Sequence, residues 1–174
     1  MATFQPYAAG QKVTAGSLDQ LLMIGKVVFS ATLAASQTIT TGTETTANAC
    51  AWDTINYDEL GAWTAGSPTR WTCPLAGWWT LAGAVSFNGS SGGSQRDAIW
   101  FVNGVNITSG RARTYAETSI AAVGLTVEAR TIPQLLAVGD YVQLIPVHNI
   151  GSSIGTATGT LAPYMAVTYS GPNL

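Results

Sequence analysis

The feature that most constrains the fold is a series of short apolar segments that begins at Lys26. Seven segments rich in β-branched and aromatic residues lie at 26–34, 51–58, 77–87, 97–107, 119–129, 141–148 and 163–170. Turn sequences separate them, and Asn103-Gly104 within the segment 97–107 suits a tight hairpin. No long helical pattern lies between them, so the chain offers no helical crossovers for a parallel sheet. The sequence predicts an all-β, antiparallel sandwich or barrel.

The densest of these segments is the tryptophan-rich run RWTCPLAGWWTLAGAVSF, residues 70–87. It is not a membrane helix, because Arg70, Pro74 and two glycines interrupt it. Side chains alternate along a strand, and the alternation predicts that Trp79, Leu81, Val85 and Phe87 face the core. Trp78 shares the other side with small residues, which predicts packing against a neighbouring sheet or subunit.

The same alternation divides residues 141–148, YVQLIPVH. Val142, Leu144 and Pro146 share one side of the predicted strand, and Tyr141, Gln143, Ile145 and Val147 share the other. Both sides are too apolar for a strand that faces water. The threonine-rich stretch 34–49 lies between two predicted strands and is expected to be an extended surface strand.

The first 25 residues differ from the rest of the chain. SLDQLLMIG, residues 17–25, predicts a short helix that has Ser17 as N-cap, Gln20 in a capping box and Gly25 as its end. A helix of about two turns is marginal alone, so it must dock on something. We therefore divide the 174 residues into a docking arm at 1–25, one β domain at 26–171 and a tail at 172–174. The docking residues are Phe4, Tyr7, Leu18, Leu21 and Leu22.

Charge is scarce. Only 9% of the residues are charged and the net charge is −2, against roughly 25% charged residues in an ordinary domain. A neutral surface favours self-association. The seven lysines and arginines are scattered singly, which argues against nucleic-acid binding. No apolar run is long enough to span a membrane and no signal-peptide layout opens the chain, so we expect a protein made in the cytoplasm, without a membrane partner.

The sequence offers little for catalysis. The only histidine, His148, paired with Cys73 would be the sharpest nucleophile hypothesis, but Cys73 lies in the approach to a core strand and is expected to be inert. We predict no enzyme activity and no cofactor. Cys50 and Cys73 would form a disulfide only if the fold brought them together, and reduced thiols are the favoured state.

Two kinds of binding site remain to be weighed. Asp53, Asp58 and Glu59 are close in sequence and could supply calcium ligands, although a solvated loop is favoured and no metal is predicted. Trp52, Trp63 and Trp100 could form a carbohydrate-binding shelf, but tryptophan in a sandwich is more often core mass.

Several landmarks resemble the complement C1q and tumour-necrosis-factor-like jelly rolls. WTCPLAGWWTL places Trp71, Pro74, Gly77, Trp79 and Leu81 in register with that family's pattern of an aromatic, a proline, a glycine and alternating aromatics. WDTINYDELGAW, AIWFVNG and LLAVGDYVQL are similar to further landmarks in the same order, over roughly residues 50–170. The resemblance implies a TNF-like jelly roll that assembles as a homotrimer. We expect Trp78, Tyr141, Gln143 and Ile145 at the trimer interface.

The N-terminal stretch PYAAGQKVTAGSLDQLL, residues 6–22, is similar to openings of tailed-bacteriophage structural proteins, notably of phages that infect actinobacteria. This resemblance implies a non-enzymatic virion protein, assembled in the host cytoplasm. We expect it to be a capsid decoration protein, as a minor capsid or head-fibre component, anchored by its arm to the major capsid protein. The alternative is a minor tail or tail-fibre appendage that contacts tail proteins and binds a host receptor or surface glycan.

Overall fold

The computed structural model describes residues 15–42, 44–90, 92–115 and 124–173. Within these ranges one helix, α1 (Ala15–Met23), precedes eleven strands. The strands are β1 (Val27–Thr32), β2 (Thr38–Ile39), β3 (Thr54–Asp58), β4 (Trp71–Thr72), β5 (Gly77–Phe87), β6 (Gln95–Val102), β7 (Val105–Tyr115), β8 (Leu125–Leu136), β9 (Tyr141–His148), β10 (Ile154–Gly155) and β11 (Tyr164–Gly171). 3-10 turns lie at Thr46–Asn48 and Gly159–Leu161.

The strands form two main antiparallel sheets. A five-stranded sheet has the order β3-β1-β11-β5-β8, and a four-stranded sheet has the order β4-β9-β6-β7. β2 and β10 form a small third ladder. The two main sheets pack face to face, so the prediction of an all-β jelly-roll sandwich is confirmed.

The predicted hairpin lies between β6 and β7. Asn103 and Gly104 both have positive φ, at 52° and 79°, as a tight two-residue turn of this hand requires. β8 differs from the expectation, because it continues through Pro133 to Leu136. β8 is an edge strand, and at an edge a proline takes no hydrogen bond away from the interior of the sheet. The predicted strand residues 119–123 lie outside the described residues.

The core between the sheets follows the predicted alternation. Trp79, Leu81, Val85 and Phe87 are buried from β5, and Val142 and Leu144 from β9. The ring of Trp79 lies edge-on between Trp71 and Tyr169, with centroids 5.0 and 4.8 Å away. A Cβ on Gly77 would lie 2.7 Å from the carbonyl oxygen of Gly171, so the glycine of the family-like landmark is required by backbone contact with β11.

The helix ends as predicted but begins earlier. α1 already includes Ala15 and Gly16, so Ser17 lies inside the helix and is not its N-cap. Gly25 has φ of +82° and donates its N–H to the carbonyl oxygen of Tyr169 at 2.8 Å. This bond and the packing of Met23 against the core attach the helix beside β11. None of the described helices is long and apolar enough to cross a bilayer.

Candidate functional site

The outer side of the five-stranded sheet, which we call the open face, lies over β1, β11 and β5. Its outward side chains are Ser30, Thr32, Trp78, Thr80, Ala82, Tyr164, Ala166, Thr168 and Ser170. Trp78 and Tyr164 are each 41% exposed. Trp78 pairs across the strands with Leu135, which is also exposed. Trp78 therefore faces away from the core of its own chain, with no second layer over it among the described residues.

The open face carries almost no charge. β1, β5 and β11 contain no aspartate, glutamate, lysine, arginine or histidine. Hydroxyl groups on this face can bond to each other across the strands, as the hydroxyls of Thr80 and Ser170 do at 2.7 Å. This face combines two exposed aromatic rings with small and hydroxylated side chains, so it could pack against protein without burying an ion.

α1 adds a separate apolar surface. Leu18, Leu21 and Leu22 are exposed although the helix contacts β11. Their neighbour Ile24 is exposed as well. The other two predicted docking residues, Phe4 and Tyr7, lie outside the described residues. The helix is thus attached through Met23 and presents its leucines to a partner or to solvent.

The outer side of the four-stranded sheet, which we call the covered face, is built differently. Five residues form a second buried cluster there: Ala49, Ile99, Phe101, Ile145 and Val147. Residues 37–42 and 44–50, which we call the strap, cross this side of the sheet. The N–H groups of Gly42 and Cys50 donate to the carbonyl oxygens of His148 and Leu144 at 2.7 and 3.0 Å. The strap therefore covers apolar side chains that would otherwise face water.

The strap is a closed loop and not the extended surface strand that its threonine content predicts. Of its described residues, only Thr38 and Ile39 are in a strand, and a 3-10 turn follows at Thr46–Asn48. The Asn48 side chain accepts from the N–H of Thr40 at 3.1 Å and donates to the carbonyl oxygen of Thr40 at 3.1 Å. These two bonds close residues 40–48 into a loop.

A cluster of ion pairs lies at the edge of the covered face. The carboxylate of Asp97 is fully buried and accepts two hydrogen bonds from Arg113, each 2.9 Å long. Arg111 lies 3.7 Å from the same carboxylate and also pairs with Glu44 of the strap. The hydrogen bond to Asp97 raises the pKa of Arg113. The two arginines compensate the buried carboxylate and connect β6 and β7 to the strap.

A polar cleft of about 380 Å³ opens on the covered face where the strap meets β9. Its lining includes Thr46 from the strap, Ser67 and Thr69 from the turn before β4, and Arg70, Tyr141 and Gln143. The guanidinium carbon of Arg70 lies 4.9 Å from the centre of the Tyr141 ring. Sequence reasoning missed this cleft because it treated Arg70 only as an interruption of an apolar run.

The predicted trimer-interface residues do not lie together. Trp78 lies on the open face, whereas Tyr141, Gln143 and Ile145 lie on the opposite, covered face. Ile145 is completely buried within one chain and Gln143 is 4% exposed. Ile145 therefore has no surface left to bury against another subunit, and Gln143 exposes only a small part of its side chain, beside the cleft.

The structure separates the residues of the nucleophile hypothesis. Cys73 donates its N–H to the carbonyl oxygen of Asp140, just before β9 begins, and His148 is the last residue of β9. At about 3.3 Å per residue, β9 places them roughly 23 Å apart. Burial raises the pKa of the Cys73 thiol. No pair competent for general-base activation exists between these two residues.

The other buried titratable groups are structural. Both cysteines are free, and burial raises the pKa of Cys50 to about 12. Burial lowers the pKa of His148, and the nearby charge of Arg96 lowers it further, although a 3.1 Å hydrogen bond to the carbonyl oxygen of Ile39 acts in the opposite direction. The buried imidazole of His148 is thus expected to be uncharged at neutral pH.

The three acidic candidates for calcium ligands accept local hydrogen bonds. Asp53 accepts from the N–H groups of Ala34 and Ala35, each at 2.7 Å. Asp58 accepts from the N–H groups of Ala62 and Trp63, and Glu59 accepts from the hydroxyl of Tyr57. Within the described residues, no three potential metal ligands converge.

The tryptophans that were weighed as a carbohydrate shelf are mostly core. Trp52 and Trp100 are fully buried, and the indole N–H of Trp100 donates to the carbonyl oxygen of Arg130 at 2.9 Å. Trp63 is partly buried and packs against the same core. The three rings do not form a common exposed surface.

Comparison with known proteins reveals structural likeness at low sequence identity. The globular domain of zebrafish complement 1qA superposes with a TM-score of 0.59 at 15% identity, covering 85% of this chain and 99% of that domain. Eiger TNF from S. frugiperda superposes with a TM-score of 0.63 at 5% identity, covering 85% of this chain and 95% of that one. No family model and no curated protein matches the sequence. The likeness shows a C1q/TNF-like jelly-roll fold.

Proposed function

We propose that this chain is a non-enzymatic structural protein of a tailed-phage virion, in which a homotrimer decorates the capsid and is anchored by its N-terminal arm. The proposal of self-association is supported by the exposed and uncharged open face. The virion part comes from the resemblance of residues 6–22 to the openings of phage structural proteins. Both parts fit a chain with very few charges.

The open face suits an interface between copies of the chain. A protein–protein contact there would bury Trp78 and Tyr164 without the cost of desolvating charged groups. Each 100 Å² of apolar area removed from water contributes about 2.5 kcal/mol before the costs of association. The proposed interface consists of Trp78, Thr80, Ala82, Tyr164 and Ala166, and it leaves out Gln143 and Ile145.

The trimer is tested by placing charge on the open face. Wild-type protein should run at the mass of three chains in light scattering coupled to gel filtration. The double variant Trp78→Glu/Ala82→Glu should run as a monomer, because six carboxylates would meet in one trimer. Val105→Glu is the matched control, since Val105 is exposed away from this face. A monomeric wild type, or a trimer that survives the double variant, would refute the interface.

The arm is proposed to attach the trimer to the particle through Leu18, Leu21 and Leu22. Three arms on one trimer would raise the avidity through effective concentration. The test mixes the protein with undecorated particles and measures co-sedimentation. The variant Leu18→Gln/Leu21→Gln/Leu22→Gln should lose binding while remaining folded, because these side chains are exposed. Equal co-sedimentation of variant and wild type would contradict the docking role.

The second candidate function is a minor tail or tail-fibre appendage that binds a host receptor or surface glycan. The polar cleft on the covered face is the observation that favours it, because self-association through the open face would leave the cleft accessible. Electron microscopy of native particles, with the protein labelled, separates the two placements. Label on the head supports decoration, and label on the tail supports the appendage.

A further inference from the structure

The cleft on the covered face has a fixed cation as part of its wall. Arg70 follows a turn in which its N–H donates to the carbonyl oxygen of Ser67 at 3.3 Å. Its Nη2 donates to the hydroxyl of Ser67 at 3.2 Å, and its guanidinium lies over the Tyr141 ring. These contacts hold the guanidinium in place before any ligand arrives, so little side-chain entropy is lost on binding.

The charge of Arg70 is not compensated. Arg70 forms no ion pair with a described carboxylate, whereas Arg111 and Arg113 both do. None of the residues that line the cleft is acidic. An unpaired guanidinium in a partly enclosed site favours an anion, and its planar fork fits a carboxylate through two parallel hydrogen bonds.

The rest of the lining has spare hydrogen-bonding capacity. Gln143 is nearly buried and its Nε2 donates to the hydroxyl of Thr69 at 3.3 Å, but its Oε1 has no partner. Whichever way the amide is turned, one of its two polar atoms stays unpaired. The Nε of Arg70 is unpartnered as well. Thr46, Ser67 and Thr69 add hydroxyl groups, so the lining suits ligand hydroxyls, which both donate and accept.

The geometry of the cleft favours an acidic sugar over a neutral one. The Tyr141 ring is covered by the guanidinium, so it is not free to stack on the apolar side of a neutral sugar. The volume of about 380 Å³ lies at the small end of the usual range for ligand sites, about 300–1,000 Å³. This room fits one sugar unit and not an extended chain.

We propose that this cleft binds a hydroxylated carboxylate of single-sugar size, a uronic acid, with the carboxylate on Arg70 and the hydroxyls on Gln143, Thr69 and Thr46. The ligand is either a free sugar acid or the terminal unit of a glycan, since both present the same chemistry. The site does not depend on where the protein lies in a particle.

The test titrates the full-length protein with D-glucuronate and follows binding by calorimetry. We expect saturable binding in the millimolar range and at least about tenfold weaker binding of D-glucose, which lacks the carboxylate. Arg70→Gln should weaken glucuronate binding at least about tenfold, and Arg70→Lys should weaken it less, because the lysine keeps the charge but not the fork. Arg130→Gln is the matched control, since it removes the same charge from an exposed position on β8.

Circular dichroism and the thermal midpoint establish that each variant is folded. Equal affinity for D-glucose, unchanged affinity in Arg70→Gln, no binding of the acid, or inorganic phosphate binding as tightly as glucuronate would each overturn the proposal. A glucuronate-terminated disaccharide distinguishes the two sources. Tighter binding of the disaccharide supports a glycan ligand, and binding of the free acid alone supports a small-molecule ligand.

Discussion

The two outer faces of this sandwich belong to different sheets whose strands alternate in the same way, yet only one of the two faces is covered by another part of the chain. The covered face hides its apolar residues under the strap and fixes the strap with a buried carboxylate, two arginines and Glu44. The open face has no such layer among the described residues and presents Trp78 and Tyr164. The covered face is thus protected by the chain itself. The open face is uncharged and exposed, so it is suited to contact with another protein surface.

The largest loss of stability on the covered face is expected when the ion-pair cluster is disrupted. Arg113→Leu removes both short hydrogen bonds to the fully buried Asp97 and leaves the more distant Arg111 as its remaining ion-pair partner. We expect a loss of about 4 kcal/mol in the free energy of unfolding, measured with urea, because a buried charge loses its compensation. Arg130→Leu, at an exposed position, should change stability by less than about 0.5 kcal/mol. Equal effects of the two variants would mean that Asp97 does not need Arg113.

The next effect compares single side chains on the two faces. Ile145→Ala should cost about 3 kcal/mol, since it removes a completely buried side chain from the cluster beneath the strap. Thr80→Ala on the open face should cost less than about 1 kcal/mol, losing one hydroxyl hydrogen bond to Ser170. Both are measured in the Trp78→Glu/Ala82→Glu background, so that assembly does not add to stability. Similar losses would show that the two faces are equally packed.

The sequence predicted those features of the fold that depend on neighbouring residues in the chain. Alternation is local, so it predicted that Trp79, Leu81, Val142 and Leu144 are buried, and the structure confirms it. The apolar residues on the other side of β9 indicated that this side is covered as well, but they could not show what covers it, because the strap comes from a distant part of the chain. Its threonines predicted a strand, whereas the side chain of Asn48 closes it into a loop.

The candidate sites were harder still to predict. Arg113 reaches Asp97 only because a register shift between Ile99 and Phe101 moves the pairing of β6 with β7. A simple count from the Asn103-Gly104 turn would pair Asp97 with Gly110 instead. The cleft likewise depends on three separate parts of the chain that meet near Tyr141. Contacts between residues that are far apart in sequence cannot be predicted from the spacing of residues within one segment.

A pH effect is expected where the strap meets the end of β9. Burial lowers the pKa of His148 in the folded protein below its ordinary value of 6.5. The unfolded chain therefore takes up a proton first as the pH falls, and stability that is fully present above about pH 6.5 should decline below it. His148→Gln should remove this decline in urea unfolding at pH 7.5, 6.0 and 5.0, values chosen at roughly unit spacing around that pKa.

Asp140 titrates in a different pH window from His148. Hydrogen bonds from the Asn103 side chain and the Ala137 N–H lower the pKa of Asp140 below 3.8. Its contribution is present above that value and is lost only as the pH falls through the lowered pKa. If wild type and His148→Gln decline equally between pH 6.5 and 5, the imidazole does not carry the effect.

The smallest effect is expected at Glu44, the residue that connects the strap to β7 by charge. Glu44 pairs with Arg111, but both side chains are about one third exposed, and exposed pairs contribute little because water and salt screen them. Glu44→Gln should therefore cost about 0.5 kcal/mol in urea unfolding, and high salt should reduce that cost. A loss as large as that of Arg113→Leu would instead show that the strap is held by its charge, and the covered face would then depend on ion pairs more than on the apolar cluster beneath it.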